Sequence, residues 1–172
     1  MQHPVVSALT AAARPLEELL TGDDHGVSIY VLGVADLGRT PRRPEALATA
    51  LYKAAKLRLR PRSAPLVGHP WRRRLHELIR SYMPTRPGFG PEESEITLTA
   101  EEIEQAISRT DALADTLEAH LGSIRQAHEF DSHGDAYGRT PDALSYAYDL
   151  AWNDLLLITD DWGALLHIGV SD

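Results

Sequence analysis

From Thr99 onward the apolar residues are spaced as in a helix. Ile103, Ile107, Thr110, Leu113, Leu117, Leu121 and Ile124 recur every three or four positions, a stripe through about seven turns. Thr99 followed by Glu102 forms a capping-box pair, in which each side chain satisfies a backbone N–H of the other residue. The spacing predicts a helix over residues 100–129, slightly weakened by Gly122 and followed by a polar loop that reaches Gly138. An amphipathic helix of this length has to bury its stripe against other elements.

The same periodicity predicts helices over 4–21, 44–59 and 70–82. Leu9, Ala13, Leu16 and Leu20 lie on the stripe of the first, with Pro15 arguing for a kink or for a start nearer Arg14, and Gly22 as a stop. Leu47, Ala50, Leu51 and Ala54 point inward from the second. Trp71, Leu75, Leu78, Ile79 and Tyr82 form the stripe of the third, with Arg73, Glu77 and Arg80 opposite. Residues 24–37 read two ways. Val27, Ile29, Tyr30 and Val31 favour a strand, but Val27, Tyr30, Val31, Val34 and Leu37 also fit one helical face. A lone strand has no evident partner, so helix is the expectation. Thr140 and Pro141 open a last helix, in which Leu144, Tyr148, Ala151, Leu155, Ile158, Trp162 and Leu165 stay in step. Leu155 to Ile158 is apolar all round, which implies burial on more than one face.

These segments predict an all-α fold, an irregular bundle of about five to seven helices with room for one or two short strands at 27–34 and 164–170. The helices over 100–129 and from 141 are expected to pack antiparallel. A chain of 172 residues suits a single domain, and the Pro-, Gly- and Glu-rich stretch 84–98 is where a subdomain boundary would fall.

Charge is strongly segregated. Residues 1–38 carry −4, residues 39–86 carry +11 and residues 87–172 carry −15, for a net charge of −8. Fifteen of the seventeen basic residues are Arg, whose planar fork suits carboxylates and phosphates. The basic stretch can dock an acidic protein, bind a phosphate-rich partner, or pair with the acidic half of its own chain. The absence of cysteine excludes disulfides, thiolate metal sites and cysteine nucleophiles. No apolar run reaches the roughly 20 residues that span a bilayer, so no membrane role is expected. The opening Met-Gln-His-Pro lacks the pattern of a secretory signal, and a cytoplasmic location is the expectation.

Two clusters could carry function. The first comprises Lys53, Lys56, Arg58, Arg60, Arg62, Arg72, Arg73, Arg74 and Arg80, a candidate surface for a protein partner or for nucleic acid. Trp71 could stack on a base, though it sits on the apolar stripe. The second is His128, Asp131, His133 and Asp135, with Glu129 between them, whose imidazole and carboxylate groups could bind a metal. They match no metal-binding spacing such as His-Glu-x-x-His, and solvated loop is the plainer reading. No phosphate loop, dinucleotide fingerprint or Gly-x-Ser-x-Gly elbow is present, and no cofactor is expected. The expectation is therefore a small non-enzymatic interaction protein, an adaptor, regulatory or accessory subunit that docks a protein partner through charge-segregated helical faces. A nucleic-acid-binding protein using residues 53–80 is the first alternative. A helical metal-dependent enzyme using residues 120–135 is the second. Self-association through residues 144–168 would follow if Trp152 and Trp162 lay on an exposed stripe.

Overall fold

Between Trp152 and Val170 successive strand side chains alternate between two apolar surroundings, the period of a strand rather than a helix. The computed structural model describes residues 3–21, 26–40, 43–57, 64–65, 70–83, 98–131 and 151–171. Helices α1 (Pro4–Leu20), α2 (Pro44–Ala54), α3 (Trp71–Ser81) and α4 (Ala100–Leu121) accompany strands β1 (Gly26–Asp36), β2 (Ala64–Pro65), β3 (Gln126–Asp131), β4 (Ala151–Ile158) and β5 (Trp162–Ser171). The strands form one sheet in the order β1-β5-β4-β3-β2, with every neighbouring pair antiparallel. β2 contributes only two residues, so four strands carry the sheet.

The expected all-α helical bundle is thus overturned: the protein is mixed α/β. Where residues 24–37 are described they are not a helix, because β1 finds its partner in the distant β5, with Ile29 opposite Ile168. The helix expected over 100–129 ends at Leu121, where Gly122 takes a φ of 89°, a conformation glycine adopts without steric cost. Residues 126–131 then pair with β4. The helix expected from 141 is, where it is described, the β4–β5 hairpin. Its antiparallel packing on α4 is therefore replaced by strand pairing. The run Leu155–Ile158 is buried on both faces because β4 lies inside the sheet with helices on either side. A short apolar run of this kind has no periodicity to separate buried strand from buried helix. The stretches 27–34 and 164–170 fall within β1 and β5. The Pro- and Gly-rich stretch lies outside the described residues up to position 97.

The sheet divides two cores. Leu155, Leu157, Ala164, Leu166, Ile168, Val27, Ile29 and Val31 face α1, α3 and α4, where Leu9, Leu16, Leu75 and Leu117 meet them. Trp152, Leu156, Ile158, Leu165 and Phe130 face α2, where Leu47, Leu51 and Tyr52 cover them. β1 changes register between Val31 and Gly33. The extra residue restores side-chain phase, so Val31 and Val34 both serve the larger core. Thr99 and Glu102 make the capping box in both directions. The hairpin turn is held by Thr159, whose Oγ1 accepts from the Asp161 and Trp162 amides at 3.2 and 2.9 Å.

α2 sits close to the sheet because two glycines make room for it. A Cβ on Gly163 would lie 2.6 Å from Leu47 Cδ2, and one on Gly33 would lie 3.2 Å from Leu51 Cδ2. α2 closes with a Schellman turn. The Leu57 N–H donates to Tyr52 O at 2.8 Å and the Lys56 N–H to Lys53 O at 3.0 Å. Lys56 holds the left-handed position at φ 64° that glycine usually fills.

Candidate functional site

Helices α3 and α4 lie side by side, and their charges interlock. α3 carries four arginines against one glutamate, and α4 six acids against one arginine. Arg72 Nη2 reaches Asp115 Oδ1 at 2.8 Å and Glu118 Oε2 at 2.5 Å. The Glu118 hydrogen bond, then that to Asp115, raises the guanidinium pKa above its ordinary value. His76 Nε2 meets Asp111 Oδ1 at 2.8 Å. Arg73 pairs within its own helix with Glu77 at 3.0 Å. Hydrogen bonds from Arg74 and then Arg73 hold the Glu77 carboxyl below the usual range. Exposed pairs of this sort add about 0–1 kcal/mol each, so they shape the surface more than they hold the fold.

Arg74 differs. Its Nε and Nη2 grip the two oxygens of Glu129 at 2.7 Å each, the bidentate geometry for which guanidinium is suited. Glu129 lies in β3 with only 10% of its side chain exposed. Asn153 Nδ2 donates to Glu129 Oε1 at 2.9 Å, and the Tyr82 hydroxyl donates to Asn153 Oδ1 at 2.7 Å. The network fastens α3 to β3 and β4. The Glu129 contact is the main cause of the upward shift at Arg74.

The basic run of the sequence does not form one surface among the described residues. Lys53 and Lys56 are exposed on the α2 side of the sheet. Arg72, Arg73, Arg74 and Arg80 belong to α3 on the other side. Arg58, Arg60 and Arg62 lie outside the described residues. Trp71 is buried in the larger core and lies beneath the Arg72 guanidinium, 5.6 Å from ring centroid to Cζ. Exposed positions left on α3 are Arg73, Arg80 and Ser81.

The histidine and acid cluster is divided as well. His128 and Glu129 are neighbours in β3, so their side chains leave opposite faces. Glu129 turns toward Arg74, while burial holds the His128 imidazole below its usual pKa against the opposing field of Glu45 of α2. Asp131 ends β3, and His133 and Asp135 lie outside the described residues. Among the described residues no three His, Asp or Glu side chains come together as a metal site. Trp152 is only 3% exposed, and Leu155 to Leu157 are fully buried. Trp162 is half-buried, and residues 144–150 lie outside the described residues.

Sequence reasoning missed a row on the α2 side. Tyr30, His167, Asp154 and Phe130 stand in register across four adjacent strands, the first three polar and Phe130 part of the smaller core. His167 Nδ1 and Asp154 Oδ1 are 2.7 Å apart, and the Tyr52 hydroxyl of α2 donates to Asp154 Oδ2. The Tyr30 and His167 rings lie 4.8 Å apart. Asp154 and His167 are fully buried. A buried carboxylate with two partners is stabilised where a lone one would be costly. The arrangement orients the imidazole and ties α2 to the middle of the sheet. The only signal in the sequence was a polar residue in each of two apolar stretches, thirteen positions apart. Nothing in that spacing says that they meet.

No helix among the described residues is long and apolar enough to cross a membrane. Comparison of the chain with known protein families, with curated proteins and with solved structures finds no match in any of the three.

Proposed function

We propose that the protein is a small interaction protein, an adaptor, regulatory or accessory subunit, that docks a protein partner through the joined faces of α3 and α4. One observation carries this reading. Arg72 and Arg74 are already met by Asp115, Glu118 and Glu129, so the α3–α4 surface alternates in sign. A phosphate backbone favours dense, uncompensated cations. A mixed surface with exposed Arg73, Arg80, Asp111 and Asp115 suits a partner that offers both signs. A cytoplasmic location belongs to the same proposal, and fractionation of the source cells tests it.

The experiment is charge reversal at Arg73 and Arg80, both exposed, of which Arg73 shares Glu77 with Arg74 at the edge of the Glu129 network. Wild-type protein and an Arg73→Glu/Arg80→Glu variant are cross-linked in source-cell extract and passed in parallel over mixed DNA and RNA. The expected result is a discrete protein partner held by the wild type and lost by the variant, without nucleic-acid retention. Salt-sensitive retention of the wild type on nucleic acid, lost in the variant, would overturn the proposal. Equal capture by both proteins would remove α3 from the interface.

A further inference from the structure

We propose that His3 is a pH-operated latch on the first turn of α1, closed by a neutral imidazole and opened by a proton on Nδ1. His3 is the N-cap of α1, and its Nδ1 accepts from the Val5 N–H at 3.2 Å. Ser, Thr, Asp or Asn usually fills this position. Their side-chain oxygens remain acceptors at neutral and mildly acidic pH, whereas imidazole loses its acceptor on taking a proton. A protonated Nδ1 is a donor facing a donor, so the capping bond cannot survive. The new positive charge would also stand at the positive end of the helix dipole.

The surroundings reinforce the neutral form. The first turn of α1 contains no acidic side chain. From β5, Trp162 meets the His3 ring edge-on at 4.5 Å. From α4 comes His120, whose charge acts on His3, while Glu118 is engaged by Arg72. Asp160 and Asp161 precede Trp162 in the β4–β5 turn, where Arg125 holds Asp160 at 3.0 Å. Burial first, then His120, keeps the imidazole below the usual histidine value of 6.5. His3 therefore binds a proton more readily when the turn is open. The latch is fully closed above the usual histidine range and opens as pH falls below it through the lowered His3 value. Opening frees the turn that carries Val5, which is fully buried in the larger core.

The test follows the Val5 amide and the Trp162 indole by NMR from pH about 7.5 to about 5, where an imidazole titrates. In the wild type the Val5 protection factor should fall about fivefold to tenfold, the effect of losing one cap. The Trp162 indole should move with the same midpoint. His3→Asn keeps a capping acceptor that does not titrate, so Val5 should stay protected throughout. His3→Ser is a second such cap, should the first fold poorly. His120→Gln should raise the wild-type midpoint. Val5 protection that is independent of pH in the wild type, or that falls equally in both capped variants, overturns the proposal.

Discussion

The two faces of the sheet are built on different principles. Toward α1, α3 and α4 the contact surface is almost wholly apolar, and the charges sit at its rim, where Arg74 and Glu129 join α3 to β3. Toward α2 a smaller apolar cluster surrounds a buried Asp154–His167–Tyr52 network. An apolar surface tolerates small shifts, since any side chain of fitting volume can repack. A buried carboxylate bonded to specific partners such as Tyr52 and His167 tolerates almost none. The larger face accordingly gains strength from area, and the smaller one gains a defined position for α2.

The contrast breaks most visibly at Asp154. Asp154→Ala should cost about 3–5 kcal/mol in denaturant unfolding, because Tyr52 and His167 are left buried without their carboxylate. A cost below about 1 kcal/mol would mean that α2 is held by its apolar contacts alone. At the rim, Arg74→Ala should cost about 2–3 kcal/mol, since Glu129 keeps Asn153 but loses its countercharge. If the two losses prove equal, the distinction between rim and interior disappears.

Close packing of α2 provides the next test. Gly163→Ala should lower stability by about 1–3 kcal/mol, because the new methyl group meets Leu47, itself fully buried. Near-UV circular dichroism should change with it, since Tyr52 rides on the same helix. The smallest effect is a gain. Lys56→Gly should raise stability by about 0.4–1 kcal/mol in thermal unfolding, through relief of the left-handed backbone at the end of α2. A loss instead would show that the Lys56 side chain supports the helix end.

The strand errors have one physical origin. A helix that faces solvent on one side declares itself within a few residues, and α1 and α3 do so. β4 faces apolar layers on both sides, so Leu155, Leu156 and Leu157 carry no alternation to read. β1 was ambiguous because its partners in β5 lie 126 to 145 positions later. The same distance concealed the site. Arg72 and Arg74 could be recognised as charges seeking partners, but Glu118 and Glu129 are 46 and 55 positions away.

The sequence by itself determined what depends on one or two turns of chain. It specified α1, α3 and the start of α4 with its Thr99–Glu102 capping box. It also carried the choice between acidic and basic segments, and the prolines that open α1 and α2. Tertiary structure alone decided that β1 and β5 pair as strands, that the arginines of α3 meet the acids of α4 and β3, and that Asp154 meets Tyr52. The reason is that hydrogen-bonding and charge partners in a sheet protein are chosen by register across the fold, and register is a property of neighbours in space.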